Sequence, residues 1–301
     1  MKSRIIAVAL LLLFFSDVLM ADTAYQPFVL ASVNDSALEE QVKATVDALE
    51  AGGFTIAGQY SPVDGSVVIV ATNETLKKAA AATDRGGYAA GQRISVTERD
   101  GKTEVAFINP LYIQYAYRLD ADLLSVLDSL GNALGNQESY GAEKEMTAKK
   151  LGKYNYMMGM QKFDDPSELG SFNSFADAVA AVEAGLAREG DALSQVYRID
   201  IPGKDQAVFG VGMKATPSDE DEKDIDAAFQ MSIVDFEGPA KVAYFPYEIL
   251  VNGTDVEALH MRFRMAVHFP DLSMMGAHGF TKLMSSPGAT EDALEGMLKP
   301  R

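Results

Sequence analysis

Residues 241–269, KVAYFPYEILVNGTDVEALHMRFRMAVHF, contain the pattern that decides the predicted fold. The dipeptide Asn252-Gly253 is typical of tight hairpin turns, because both residue types tolerate a positive φ. After the turn, apolar side chains occupy alternate positions up to Phe269, and histidines and arginines fill several of the positions between them. Alternation with a period of two indicates a strand that buries one face. We therefore predict a hairpin whose second strand ends at Phe269.

A second copy of this pattern lies upstream, at residues 92–110, QRISVTERDGKTEVAFINP. It turns at Asp100-Gly101, which is another hairpin dipeptide. Strands and helices around it alternate in the order β-α-β-β-α-β-β-α, which favours an open sheet with helices against it. We predict an α+β fold with an internal duplication: two related units, each a mostly antiparallel sheet with helices packed on one face.

Changes in composition give the predicted boundaries of these units. The first α+β unit spans 22–134, a glycine-containing and charged linker spans 135–170, and the second α+β unit spans 171–301. Within the second unit, we predict a helix at 172–188. We also predict strands at 194–201, 206–213 and 227–234 ahead of the hairpin.

The N-terminal segment has the composition of a secretory signal peptide. Lys2 and Arg4 precede the apolar run 5–15, which is too short to span a membrane comfortably. We predict cleavage near Ala21 and a periplasmic or secreted mature protein, which is then not an integral membrane protein. The alternative is that the segment stays uncleaved as an N-terminal anchor.

The charge and the cysteine content limit the classes of partner. The chain has 43 acidic and 26 basic residues, a formal net charge of −17, and no cysteine. Such an acidic protein repels phosphate backbones, so we expect no nucleic-acid partner. An exported chain without disulfides must be stabilised by its core alone.

The first unit resembles the domain-of-unknown-function 302 family. The resemblance covers about 28–131 and rests on the strand 65–71, the Asp100-Gly101 hairpin and Asn109-Pro110, with a helix that ends in Gly52-Gly53-Phe54. The family's Asn-(Asp)-Pro element lacks its Asp here.

The second unit, 172–298, matches this family less closely. Residues 247–251 and the following hairpin fit, but Phe269-Pro270 replaces the polar element. The resemblance implies a compact α+β fold that often pairs into dimers, so a homodimer is one expectation. It implies no catalytic residues.

The histidines and many methionines are concentrated near the C-terminus. All three histidines lie within 260–278, and the loop around His278 also contains Met274 and Met275. Imidazole with thioether suits copper, especially Cu(I), so these three residues form a candidate metal site. The segment 157–160, Met-Met-Gly-Met, could add ligands if the fold brings it close. Haem bound by His268 or His278 is a further alternative. The competing interpretation is that methionine fills gaps in the core.

A second candidate site combines tyrosine and arginine. Tyr112 and Tyr115 can line a small-ligand cleft, and Arg118 can bind a carboxylate. We place this cleft between the units, where four residues of the predicted second strand would complete it: His260, Arg262, Arg264 and His268. The competing interpretations are that the tyrosines are core or inter-unit contacts, and that the arginines pair with the acidic loop 219–226.

Several common enzyme signatures are absent from the sequence. It contains no Gly-x-Ser-x-Gly elbow, no Gly-x-x-x-x-Gly-Lys phosphate loop and no His-Glu-x-x-His helix. We therefore expect an exported ligand-binding or accessory protein. The alternatives are a copper or haem binder and a small-molecule enzyme that uses the Tyr/Arg/His cleft.

Overall fold

A computed structural model describes residues 23–188, 192–216 and 220–299. The predicted signal peptide, residues 1–21, lies outside the described residues. In the part of the chain that is described, no helix is long and apolar enough to cross a membrane.

The first unit is built on a six-stranded antiparallel sheet. Its spatial order is β2-β3-β4-β5-β1-β6. The strands are β1 (Phe28–Asn34), β2 (Thr55–Tyr60), β3 (Ser66–Thr72), β4 (Gln92–Arg99), β5 (Lys102–Ile108) and β6 (Glu138–Tyr140). The helices are α1 (Leu38–Ala51), α2 (Glu74–Ala82), α3 (Pro110–Ala116) and α4 (Leu124–Leu134).

The second unit is built on a five-stranded antiparallel sheet with the order β7-β11-β10-β9-β8. The strands are β7 (Ser167–Ser171), β8 (Leu193–Asp200), β9 (Gln206–Met213), β10 (Tyr247–Asn252) and β11 (Asp255–Ala258). The remaining helices are α5 (Ala148–Gly152), α6 (Phe175–Leu186), α7 (Ala227–Val234), α8 (Met261–His268) and α9 (Ser286–Met297). The two antiparallel sheets with their helices confirm the predicted α+β class.

Both predicted hairpins form. Asp100 and Gly101 have φ values of 52° and 74° between the paired residues Arg99 and Lys102, as a type I′ turn requires. In the later hairpin, Asn252 pairs with Asp255, so the turn lies one residue later than predicted, at Gly253-Thr254. Gly253 supplies the positive φ of 64°.

The second strand of that later hairpin was predicted wrongly beyond Ala258. Residues 261–268 form helix α8, which begins where the His260 side chain accepts a hydrogen bond from the Arg262 amide at 3.1 Å. The alternation that suggested a strand also contains a period of four, because His260, Arg264 and His268 recur at helical spacing. Residues spaced by four positions fit both the alternation of a strand and the spacing of a helix. The fold of the chain adopts the helix.

The predicted strand at 227–234 is also a helix, α7. The Asp226 carboxylate caps it by accepting a hydrogen bond from the Phe229 amide at 2.8 Å. Its sequence, AAFQMSIV, is a short apolar run, and periodicity alone cannot assign such a run to helix or strand. Alanine, glutamine and methionine then favour the helix.

The two units pack against each other closely. Edge strands β2 and β8 meet at Gly58, where an added Cβ would clash with the Val196 carbonyl oxygen. Arg85 of the first unit donates to Glu257 of β11 at 2.8 Å. The segment 135–170 contributes β6 to the first sheet and β7 to the second. Helix α8 lies within this packing and buries most of its surface.

Candidate functional site

A cavity of about 240 Å³ opens beside α8, and we call it the methionine pocket. Helix α8 contributes Arg262, Met265, Ala266 and the following Phe269. These positions follow the spacing i, i+3, i+4 and i+7, so they form one face of the helix. Five methionines from three chain segments line the pocket: Met157, Met160, Met265, Met274 and Met284.

Two loops complete the walls of the methionine pocket. The loop that carries Met157 and Met160 is joined to α8 by Tyr154, whose hydroxyl donates to the Ala266 carbonyl at 2.8 Å. The loop that carries Met274 is closed by two backbone hydrogen bonds: the Phe280 amide donates to Ser273 at 2.8 Å, and the Thr281 amide donates to Met274 at 3.0 Å. The fold thus brings 157–160 to the C-terminal methionines.

The methionine pocket runs from a buried floor to an exposed rim. Met265 is 1% exposed, whereas Met157 is 50% exposed and Met284 is 57% exposed. Large apolar side chains clustered on a surface are typical of binding sites. Arg262 is half-buried beside them, and it forms no ion pair with any of the described residues. The pocket therefore combines an adaptable apolar lining with one uncompensated positive charge.

The three predicted copper ligands are divided between two cavities. Met274 lines the methionine pocket, whereas Met275 and His278 line a separate cavity of about 540 Å³. The His278 ring stacks on Phe236, with 4.1 Å between the ring centroids. Across 23–188, 192–216 and 220–299, no cluster of three His, Cys, Asp or Glu side chains could bind a metal ion.

The three histidines occupy three different environments. His260 caps α8 and His268 ends it, so about 12 Å of helix axis separates the two residues. His268 is fully buried: its Nδ1 donates to the Arg264 carbonyl at 2.8 Å, and its Nε2 accepts from Arg93 at 3.0 Å. Burial, with Arg93 and Arg264 nearby, holds the pKa of His268 well below its usual value. Both ring nitrogens are engaged, so His268 has no lone pair for copper or haem, and His278 is the exposed imidazole.

Tyr112, Tyr115 and Arg118, which were predicted to line one cleft, each contact a different partner. Tyr112 is buried, and its hydroxyl donates to the Val267 carbonyl at 2.7 Å. Tyr115 packs against Tyr25, with 4.9 Å between the ring centroids. Arg118 binds both carboxylate oxygens of Asp164 at 2.6 Å. These contacts engage all three side chains, and none of the three lines the methionine pocket.

Arg264 and His268 belong to a buried cluster that the sequence analysis did not predict as a unit. Its other charged members are Arg93 of β4 and Glu248 of β10, both at most 3% exposed. For Glu248 a signal was present in the sequence, because it is the one charged residue of β10, YEILVN, whereas Arg93 lies in a strand with other polar residues, QRISVTER. Such a residue in a buried sheet usually has a specific partner. The sequence could not identify that partner, since 155 positions separate Arg93 from Glu248.

Comparison of the chain with family models, curated proteins and solved structures gave no match in any of the three. The resemblance to the domain-of-unknown-function 302 family therefore stays a prediction.

Proposed function

We propose that this chain is an exported, non-enzymatic binding protein that holds a small, largely apolar molecule with one anionic group. The methionine pocket is the proposed site, and the observation that carries the proposal is its five methionines beside Arg262, which forms no ion pair within the described part of the chain. The export part of the proposal rests on the predicted signal peptide.

The size and lining of the methionine pocket support this ligand class. Its volume of about 240 Å³ lies just below the range of roughly 300–1,000 Å³ that is typical of pockets for drug-sized ligands. Methionine side chains are flexible and polarizable, so they fit ligands of varied shape. Arg262 offers a fixed fork of N–H donors, which suits a carboxylate or a sulfonate at the end of an apolar body.

Methyl-labelled methionine provides a direct test. The chain from residue 22 onward would be prepared with ¹³C-labelled methionine methyl groups and titrated with decanoate. We expect saturable shifts of the methyl signals of Met160, Met265, Met274 and Met284. Met158 is the internal control, because it is 95% exposed and does not line the pocket, so its signal should not move.

Two variants separate the contributions of shape and charge. Ala266→Phe fills the pocket and should abolish decanoate binding, whereas Met158→Gln should leave the affinity unchanged. Arg262→Gln should weaken decanoate at least tenfold while leaving decanol binding nearly unchanged. Equal shifts at Met158 and at the pocket methionines, or unaltered binding by Ala266→Phe, would show that the pocket is not the site.

A second candidate function is Cu(I) binding in the same pocket, and the five convergent thioethers favour it. The labelled protein titrated anaerobically with Cu(I) would then show 1:1 shifts at the pocket methionines. His278→Ala should not reduce the affinity, because His278 lines the other cavity. Cu(I) binding without decanoate binding would replace the first proposal with this one.

A further inference from the structure

The interface between the units contains a second feature, independent of the methionine pocket. Arg93, Glu248, Arg264 and His268 form a cluster that is almost completely excluded from solvent. Glu248 accepts hydrogen bonds from Arg93 at 3.1 Å and from the Tyr197 hydroxyl at 2.7 Å. Arg264 Nη2 is 3.8 Å from the same carboxylate and donates to the carbonyls of Tyr244 and Pro246.

The charges of this cluster do not balance. Arg93 and Arg264 contribute two positive charges, and Glu248 contributes one negative charge. His268 is neutral, because its Nε2 accepts a hydrogen bond from Arg93 and so carries no proton, and burial with the two arginines lowers its pKa in the same sense. Within the described ranges, no other carboxylate pairs with either arginine. One positive charge is thus enclosed without compensation, and an uncompensated buried charge is strongly unfavourable.

Hydrogen-bond donors are also in excess. Arg264 Nε and Nη1 have no hydrogen-bond partner in the structure, and the same is true of the hydroxyls of Tyr60, Tyr117 and Tyr244. The Arg264 guanidinium lies over the Tyr244 ring, 4.2 Å from its centroid. Burial raises the pKa of Tyr60 and Tyr117, and the positive charge of Arg264 lowers the pKa of both by a smaller amount. Both hydroxyls are therefore close enough to Arg264 to interact with its charge.

These observations favour an anion over a water molecule as the partner of these groups. A water molecule could accept from the arginine nitrogens and donate to the tyrosine hydroxyl oxygens, but it would leave the excess positive charge without compensation. An anion accepts from every donor and neutralises the excess charge. We infer that one small monovalent anion, of the size of chloride, binds at Arg264 between the hydroxyls of Tyr60, Tyr117 and Tyr244.

Such an anion would connect the two units. Tyr60 lies at the end of edge strand β2 and Tyr117 follows α3, so both belong to the first unit. Tyr244 and Arg264 belong to the second unit. A ligand that binds only the folded state raises its stability, so halide should stabilise the packing of the units.

Thermal unfolding and anomalous diffraction test this inference together. The chain from residue 22 would be melted in sodium chloride, sodium bromide and sodium gluconate at equal ionic strength. We expect Tm to rise saturably with chloride and bromide but not with gluconate. Crystals grown in bromide should show an anomalous peak within hydrogen-bond distance of Arg264 Nε.

Two phenylalanine variants provide matched controls. Tyr117→Phe removes one proposed donor and should weaken the halide response at least threefold. Tyr112→Phe removes a buried hydroxyl that already has the Val267 carbonyl as its partner, so the halide response should persist. Equal Tm values in chloride and gluconate, or bromide peaks confined to the surface, would overturn the inference.

Discussion

Arg93 of β4 donates a hydrogen bond to His268 of α8, with 3.0 Å between Nη2 and Nε2, and this contact joins the two units across 175 positions of sequence. It fixes the tautomer of His268, because Nε2 must accept and Nδ1 must carry the proton that is donated to the Arg264 carbonyl at 2.8 Å. It also means that protonation of His268 would place a third positive charge beside Arg93 and Arg264.

Acidification should therefore destabilise the fold. The pKa of His268 is lowered well below its usual value by burial, Arg93 and Arg264, so below about pH 6.5 the unfolded chain binds a proton that the folded chain rejects. The stabilising effect of the neutral ring is complete above about pH 6.5 and is lost as the pH falls. Between pH 6.5 and 5, we expect the titration of His268 to lower the free energy of unfolding by up to about 1.4 kcal/mol for each pH unit.

The measurement is urea unfolding at several pH values for the native chain and for His268→Gln. The variant should be less stable at pH 7.5 and should show a smaller slope between pH 6.5 and 5. His260 also has a lowered pKa and contributes with the same sign, whereas Glu257 has a raised pKa and contributes with the opposite sign. The comparison with the native chain removes both of these contributions. Equal slopes in the two proteins would contradict the prediction.

Arg93 and Glu248 should be energetically coupled. Arg93→Met leaves the Glu248 carboxylate buried without its 3.1 Å ion pair, and Glu248→Gln leaves two arginines uncompensated. Each change should cost about 3–5 kcal/mol of unfolding free energy. The double variant should cost at least about 1 kcal/mol less than the sum of the two, as measured by denaturant unfolding. Strictly additive losses would show that the two side chains do not act as a pair.

Local patterns explain which parts of the fold were predictable. Both hairpins were found because Asp-Gly and Asn-Gly are typical hairpin dipeptides. Asp100, Gly101 and Gly253 do adopt a positive φ, whereas Asn252 pairs with Asp255 and the later turn is shifted by one residue. Helix α8 was predicted as a strand because residues at every fourth position, 260, 264 and 268, fit both a strand pattern and a helix pattern. The contacts of the helix include the local His260 cap and distant ones such as that between Arg93 and His268, which the sequence pattern does not reveal.

The candidate site was predictable in composition but not in arrangement. The concentration of methionine and histidine pointed to the C-terminal segment, and Met157 and Met160 do line one cavity with C-terminal methionines. The sequence grouped Met274 with Met275 and His278 because they are neighbours in the chain. Loop geometry then directs Met274 into one cavity and Met275 and His278 into another. Side-chain direction in an irregular loop follows from tertiary contacts that the sequence does not reveal.

Tyr112 and Arg118 should behave as structural residues. Tyr112→Phe leaves the Val267 carbonyl buried without its hydrogen bond and should cost about 1–3 kcal/mol of unfolding free energy. Arg118→Gln breaks a partly exposed pair with Asp164 and should cost less than about 1 kcal/mol. Neither variant should change decanoate binding by the folded protein. A tenfold loss of affinity in Arg118→Gln would restore the predicted tyrosine and arginine cleft as part of the site.

Gly58→Ala should weaken the contact between the edge strands of the two sheets. An added Cβ would clash with the Val196 carbonyl oxygen, and both strands already contain a register shift here, between Ile56 and Gly58 and between Gln195 and Tyr197. Because the obstacle is backbone, the strands must separate, and overpacking of this kind typically costs about 1–3 kcal/mol.

The matched control for this last change is Gly288→Ala. Gly288 lies within α9, and an added Cβ there would meet nothing within 4 Å. Alanine should stabilise that helix by about 0.5–1 kcal/mol, so the two glycine replacements should shift the urea midpoint in opposite directions. Hydrogen exchange should also accelerate in β2 and β8 of Gly58→Ala, because the loss is local to their contact. A Gly58→Ala protein as stable as the native chain would mean that β2 and β8 do not pack this closely.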